Sequence, residues 1–64
     1  MKYNIGDVVK INMKHIYTNR VAIVLERCLS GVEDNQTGYN YRVLICGVEN
    51  PLWIRGDEIT GLIE

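Results

Sequence analysis

The apolar residues of this chain fall into short stretches, and this feature limits the fold more than any other. Each stretch is rich in Val and Ile and is bounded by Gly, Asn, Asp or Pro, a pattern typical of β-strands and not of helices. The longest uncharged apolar run covers residues 21–25, whereas a membrane-spanning helix needs about 20 apolar positions. The sequence therefore predicts an all-β protein without a transmembrane helix.

The apolar stretches predict five strands, at residues 7–12, 20–29, 39–46, 52–55 and 62–63. Gly6 allows the bend that leads into the first strand. Residues 13–19 are a predicted loop, and residues 30–38 are polar and flanked by glycines, as in a hairpin tip. Residues 56–59 should form a single helical turn, with Asp57 accepting hydrogen bonds from the exposed amides at its start. This order is that of a five-stranded SH3-like small barrel with one helical turn before the last strand, and closure would remove the exposed strand edges.

The whole chain, residues 1–64, is expected to form a single domain. A domain of 64 residues buries only about 60% of the surface that its unfolded chain exposes, so it needs help from a metal, a disulfide or a partner. The N-terminus has no pattern of a secretion signal, and we expect a cytoplasmic protein.

The net charge of −1 hides an uneven distribution along the chain. Residues 1–20 carry four basic residues against Asp7, a balance of +3, and the remaining residues sum to −4. A nucleic-acid-binding domain of this size usually has a larger basic excess, and scattered lysines are more often simply solvated. A nucleic-acid accessory module nevertheless stays open as an alternative, and it would use Lys2, Lys10, Lys14, Tyr17 and Arg20.

Several short motifs along the chain resemble a known group of small barrels. They are Tyr3-x-Ile5-Gly6-Asp7-x-Val9, Asn19-Arg20-Val21-x-Ile23-Val24-x-Glu26, Tyr39-x-Tyr41-x-Val43, Trp53 and Glu58-Ile59. Together they are similar to the SH3-like barrels of phage and prophage proteins, the YorP-like proteins among them, and more distantly to KOW and Tudor barrels. Asn19 and Arg20 stand where such barrels usually have a glycine. The resemblance implies a short non-enzymatic phage protein that acts by binding a host or defence protein, with inhibition as one outcome.

Few residues of this chain are suited to catalysis or metal binding. Cys28 and Cys46 are the only cysteines, and the expected hairpin pairing separates them by roughly 16 Å at ~3.3 Å per residue, too far for a disulfide. Both thiols are therefore expected to be small buried apolar groups. His15 is the only imidazole, which leaves no set of zinc ligands and no clear nucleophile with its base. We expect no enzymatic activity, no metal, no cofactor, and little room for a pocket of ~300 Å³ or more that excludes water.

The aromatic side chains fit either a core or a binding surface. Tyr39 and Tyr41 share the alternation of the apolar residues that follow them, which indicates an inward face. Trp53 is expected in the core, because a chain without Phe must draw bulk from elsewhere. Tyr3 and Tyr17 are the candidates for the surface. A cage for methylated lysine, as the Tudor resemblance implies, or a stacking platform for bases would need such exposed rings.

The second and third strands carry more apolar residues than one buried face needs. Residues 21–25 and 43–46 are apolar without alternation, whereas an antiparallel strand with one solvated face alternates. If the odd-numbered residues point inward, the even-numbered ones form an outer apolar patch that marks an interface. A second strand that curls to serve both layers of a barrel would hide part of this patch. The predicted docking residues are Ala22, Val24, Leu44 and Cys46 in the patch and Glu33 and Asp34 in the 30–38 loop.

The leading functional hypothesis is a small protein-binding module that docks on a partner through the patch, the loop or both. Self-association into a homo-oligomer through the same patch is a variant of it. The nucleic-acid accessory module is the alternative from another class, and no membrane partner is expected.

Overall fold

The chain folds into five β-strands and one short 3-10 helix. A computed structural model describes residues 2–29 and 38–63. The elements in chain order are β1 (Val8–Met13), β2 (Tyr17–Leu29), β3 (Tyr39–Ile45), β4 (Leu52–Arg55), η1 (Gly56–Glu58) and β5 (Ile59–Leu62). The predicted docking residues Glu33 and Asp34 lie outside the described residues.

The predicted all-β architecture, with five strands and one helical turn before the last, is confirmed. β4 has the predicted bounds and begins directly after Pro51, which has no amide for a strand ladder. β2 begins at Tyr17, three residues before its predicted start, because only residues 14–16 form the turn that follows β1. β5 likewise begins earlier than predicted, immediately after η1.

The strands form one sheet in the order β4-β3-β2-β1-β5, and every neighbouring pair is antiparallel. Within residues 2–29 and 38–63, the edge strands β4 and β5 form no ladder with each other, so closure into a barrel stays a prediction. In the same ranges no helix is long and apolar enough to cross a membrane.

Three positions near the starts of β1 and β2, at Gly6, His15 and Asn19, have a left-handed backbone. Gly6 has a φ of +93°, in a turn where the Asp7 N–H donates to the Asn4 carbonyl at 3.0 Å and the Asn4 N–H donates to the Asp7 carboxylate at 2.8 Å. The predicted glycine bend into β1 is therefore confirmed. Asn19 has a φ of +52°, and asparagine is one of the few side chains that tolerate this region. Asn19 thus occupies a position whose backbone conformation favours glycine.

A single cluster of buried side chains forms the core. It takes residues from all five strands and from the segment before β1, so the whole sheet contributes to one apolar interior. Its members are Tyr3, Val9, Ile11, Ala22, Val24, Tyr41, Val43, Ile45, Ile54 and Ile59.

The predicted inward face of β3 is confirmed, but the predicted faces of the first half of β2 are wrong. Ala22 and Val24 are only 2% and 1% exposed, whereas Val21 and Ile23 are 39% and 36% exposed. Directly opposed residues of an antiparallel ladder share one face, and Val24 lies opposite the buried Val43. The pairing with β3 therefore turns Ala22 and Val24 into the core and leaves their odd-numbered neighbours outside.

β2 contains a bulge in its middle. Val24 pairs with Val43, but Glu26 pairs with Arg42, so Leu25 is an extra residue without a partner in β3. A bulge of this kind bends its strand and increases the local twist. The alternation of faces consequently changes phase at Leu25, in the middle of the apolar run.

Two aromatic residues depart from their predicted positions, and two do not. Tyr41 is fully buried and Tyr39 is half-buried, as the inner face of β3 requires. Tyr3 is 4% exposed, because its ring packs edge to face against Tyr41 with ring centres 5.8 Å apart. Burial, with Tyr41 beside it, raises the pKa of Tyr3. Trp53 is 52% exposed, since its neighbour Ile54 is the residue of β4 that enters the core.

The turn at η1 is held by Glu58 and not, as predicted, by Asp57. The Glu58 carboxylate accepts a hydrogen bond of 2.8 Å from the Arg55 backbone N–H. The Asp57 carboxylate instead accepts from the Arg55 guanidinium at 2.7 Å, in an ion pair open to solvent. Asp57 therefore belongs to the surface of the turn.

Candidate protein-binding groove

An open apolar groove lies on the outer face of the sheet, on the side away from the core. Its volume is about 380 Å³, which is within the range of ordinary ligand sites. The groove is open to solvent along its length and does not exclude water from its contents. We call it the outer groove, and its apolar lining comes from Val8, Val21, Ile23, Leu44, Cys46 and Val48.

Three adjacent strands build the outer groove from directly opposed residues. Val8 of β1 lies opposite Ile23 of β2, and Ile23 lies opposite Leu44 of β3. These three residues form one row across the strands. Val21 and Cys46 form the neighbouring row, in which the Cys46 N–H donates to the Val21 carbonyl at 2.8 Å. Since opposed Cβ atoms in a sheet are about 4.5–5.5 Å apart, the two rows form one continuous apolar surface.

Charged side chains border this surface. Lys10 lies opposite Val21 on the β1 side, and Glu49 lines the groove beyond the end of β3. The Arg20 guanidinium donates to the Cys46 carbonyl at 3.1 Å. In the described part of the chain, neither Lys10 nor Glu49 forms an ion pair. The two sides of the groove therefore carry opposite charges that are available to a partner.

A second exposed feature continues the outer face toward β4. Glu26 and Arg42 form an ion pair of 2.7 Å, and Arg42 lies opposite Trp53. This ion pair therefore lies beside the exposed indole of Trp53 and next to the row of residues that contains Ile23 and Leu44.

Of the predicted docking residues, Leu44 and Cys46 line the outer groove with exposed side chains. Ala22 borders the groove from the core side and Val24 does not reach it, because both are buried. The residues that the sequence interpretation missed are Val8, Val21, Ile23, Val48 and Glu49. The register signals the first three, since residues opposed along one row of the sheet share a face, but it does not signal Val48 and Glu49, which lie beyond the end of β3.

The residues of the nucleic-acid alternative do not form one surface. Lys2 lies over the Tyr39 ring, with its Nζ 5.9 Å from the ring centre, and Tyr39 pairs with the end of β2. Nine residues of β2, roughly 30 Å at ~3.3 Å per residue, separate that end from Arg20.

Lys14 lines a second, polar groove of about 430 Å³ that also contains two carboxylates, those of Asp57 and Glu58. The Tyr17 ring is half-buried and carries the Arg20 guanidinium 5.6 Å from its centre. Lys10 borders the outer groove instead.

The two cysteines are free thiols, and both are exposed. The expectation that both are buried apolar groups is therefore wrong, whereas the outward position of Cys46 is the one expected for a residue of the outer patch. Cys28 pairs with Asn40 along the β2–β3 ladder, whereas Cys46 lies beside Val21 at the other end. Within residues 2–29 and 38–63, no group of three or more His, Cys, Asp or Glu side chains is placed to hold a metal ion.

Comparison with protein-family models, curated proteins and solved structures finds no match to this chain.

Proposed function

We propose that this chain is a small SH3-like binding module that holds a protein partner in its outer groove and catalyses no reaction. The outer groove carries this proposal. Val8, Val21, Ile23 and Leu44 are each 36–39% exposed and adjoin one another. Contact of apolar surface with water costs about 25 cal/mol per Å², and a contiguous patch of it usually marks an interface.

The order of the elements supports the SH3-like part of the proposal. The sheet order β4-β3-β2-β1-β5 and the 3-10 turn between β4 and β5 are what a small barrel of this type needs. The bulge at Leu25 adds the bend that lets β2 pair with β1 and β3 in a curved sheet. The resemblance to phage and prophage barrels extends the proposal to a host or defence protein as the partner, met and inhibited in the cytoplasm.

Charge favours a protein partner over a nucleic acid. The outer groove is lined mainly by apolar side chains and bordered by two cations, Lys10 and Arg20, and one anion, Glu49. A phosphate backbone would need several cations along one face. The basic residues of the N-terminal third are not gathered on one face, because Lys2 and Lys14 lie away from the outer groove.

Two matched variants test the proposal. Leu44→Gln places a polar amide in the outer groove, and Ile16→Gln makes the same kind of change at an apolar residue that is 66% exposed in the turn after β1. Each variant and the wild type are used to capture proteins from a nuclease-treated lysate of cells in which the chain is naturally made. Each captured protein is then purified and titrated by calorimetry.

The proposal expects a partner that binds the wild type and Ile16→Gln equally and binds Leu44→Gln at least about tenfold more weakly, a loss of ~1.4 kcal/mol. Equal binding of all three proteins would show that the outer groove is not the docking site. Capture that disappears on nuclease treatment would show a nucleic-acid binder instead.

A further inference from the structure

We infer that the outer groove takes an extended segment of the partner in which two apolar side chains lie between an acidic and a basic residue. This inference rests on the proposed function and adds the chemistry of the segment that is bound. It follows from three properties of the groove: its concave shape, its volume and the charges on its two sides.

The concave shape disfavours a second copy of this chain as the occupant. Two outer grooves placed face to face would enclose an unfilled space, whereas oligomer interfaces are packed as tightly as protein interiors. The exposed apolar area is also small. The four lining residues at 36–39% exposure offer on the order of 250 Å², and the smaller contributions of Cys46 and Val48 leave the total well below the value of about 800 Å² per partner in a standard interface. A groove of this kind is filled by side chains that project into it.

The volume determines how many side chains enter. An engineered cavity of about 150 Å³ holds one benzene-sized group. The outer groove, at about 380 Å³, therefore takes roughly two apolar side chains. In an extended segment two side chains on one face are separated by one residue, which gives an apolar-x-apolar core of the bound sequence.

The charges determine the flanks of that core. Lys10 lies on the β1 side and Glu49 on the β3 side, and no described residue pairs with either. The Arg20 guanidinium donates to the Cys46 carbonyl at 3.1 Å, which leaves Lys10 as the cation at the groove whose side chain has no hydrogen-bonding partner among the described residues. Glu49 lies beyond the end of β3, so it is farther from Lys10 than the two strand spacings, about 10 Å in all, that separate β1 from β3. Side chains of an extended segment alternate between its two faces, so a carboxylate facing Lys10 and a cation facing Glu49 each stand two positions beyond the apolar pair, on the same face.

A selection from random sequences tests this chemistry without a known partner. The purified full chain is immobilised and used to select from an mRNA-displayed library of random decapeptides. The variants are Lys10→Glu, Glu49→Lys, the double variant with both changes, and Leu44→Gln. Lys14→Glu is the matched control, because it makes the same charge reversal outside the outer groove. The charge of the residues that flank the selected apolar pair is the readout.

The wild type and Lys14→Glu are expected to enrich peptides with one acidic and one basic flank. Exposed ion pairs are weak, so the enrichment of each flank over the input library is about two- to fivefold. Lys10→Glu should replace the acidic preference by a basic one, and Glu49→Lys should do the reverse. The double variant should again select peptides with one acidic and one basic flank. These peptides should bind with their chain direction reversed, because the two charges at the groove have exchanged places. Leu44→Gln should reduce the recovery of these peptides at least about tenfold.

Two results would overturn the inference while the proposed function stands. One is selection of apolar peptides that depends on Leu44 but shows no flanking charge preference. The other is a charge preference that Lys10→Glu and Glu49→Lys leave unchanged. Selection that Leu44→Gln does not reduce would overturn the proposed function as well. A wild-type chain that sediments as a dimer, with dissociation by Leu44→Gln, would place a second copy in the groove and also overturn the inference.

Discussion

The backbone N–H of Tyr3 donates a buried hydrogen bond of 3.0 Å to the hydroxyl of Tyr41, which lies 38 residues further along the chain. The Tyr3 carbonyl accepts a second hydrogen bond, of 2.9 Å, from the Arg27 guanidinium. Both backbone polar groups of Tyr3 are therefore satisfied although the residue is buried. These contacts hold the segment before β1 on the core, so the small interior gains one more aromatic ring.

Removing the Tyr41 hydroxyl should destabilise the fold although the ring remains. Tyr41→Phe leaves the buried Tyr3 N–H without its acceptor, and an unsatisfied buried donor costs about 1–3 kcal/mol. Tyr17→Phe is the control, since the Tyr17 ring is half-buried and its hydroxyl has no hydrogen bond among the described residues. Urea denaturation of both variants measures the free energy of unfolding. Equal losses in the two variants would show that the Tyr3–Tyr41 hydrogen bond contributes nothing.

Alkaline pH should destabilise the fold partly through Tyr3. Burial, and then the neighbouring Tyr41, raise the pKa of Tyr3 above its usual value of 10.0. Above this value the unfolded chain loses the phenol proton while the folded chain keeps it, so the free energy of unfolding falls as pH rises. The contribution of Tyr3 is complete below about pH 10 and is lost as pH rises through the higher pKa of the folded state.

The variant Tyr3→Phe separates this contribution from that of the other tyrosines. It has no phenol at this position, so its unfolding free energy should decline less steeply between about pH 9.5 and 11.5 than that of the wild type. The measurement is a series of urea titrations at constant ionic strength with the thiols kept reduced. Parallel declines in the two proteins would contradict the assignment to Tyr3.

The two carboxylates of η1 should differ in their effect on stability. Glu58→Ala removes the acceptor of the half-buried Arg55 N–H, and loss of such a capping contact costs about 1 kcal/mol. Asp57→Ala removes only an ion pair whose side chains are 43% and 36% exposed, and such pairs contribute about 0–1 kcal/mol. Thermal unfolding followed by circular dichroism compares the two. A larger loss in Asp57→Ala would mean that the turn depends on the ion pair.

The strands of this protein are predictable from sequence because their signals are local. Pro51 lacks an amide and Gly6 permits a positive φ, and each of them acts on its immediate neighbours. The start of β4 and the bend into β1 therefore lie where the sequence predicts them. Closure of the sheet depends instead on pairing between distant strands, which no local signal determines.

The faces of β2 are not predictable from its own residues. Residues 21–24, which precede the bulge, are all apolar, so either alternation buries two of them. The pairing of Val24 with Val43 makes the choice, and the bulge at Leu25 then changes the phase. The faces of β3, where Tyr41 sets the alternation, are correct in the prediction. Combining them with the register would have identified Val21 and Ile23 as neighbours of Cys46 and Leu44.

The positions of Tyr3 and Trp53 also depend on contacts between distant segments. Tyr3 is buried only because Tyr41 provides a ring and a hydroxyl for it. Trp53 is exposed because β4 is an edge strand with Ile54 on its inner face. A large aromatic residue in a short chain is usually a core residue. In β4, however, the alternation of side chains places Ile54 inside, so Trp53 points outward despite its size.

The assignment of faces in β2 gives the sharpest prediction, because two adjacent residues should respond oppositely to the same change. Val24→Asn places an amide in the core opposite Val43, where burial of a polar group without partners costs about 1–3 kcal/mol and the lost packing adds to it. In a domain of this size that loss approaches the whole stability. Ile23→Asn changes a side chain in the solvent-exposed lining of the outer groove and should cost about 1 kcal/mol, mainly from lower strand propensity.

Thermal melts and the dispersion of amide resonances distinguish these two outcomes directly. Val24→Asn should lose its cooperative transition and its resonance dispersion, whereas Ile23→Asn should keep both at a slightly lower melting temperature. The opposite result, with Ile23→Asn unfolded and Val24→Asn folded, would mean that Ile23 points into the core. In that case Ile23 would not join Leu44 on the outside of the sheet, and the outer groove on which the proposed function rests would not exist.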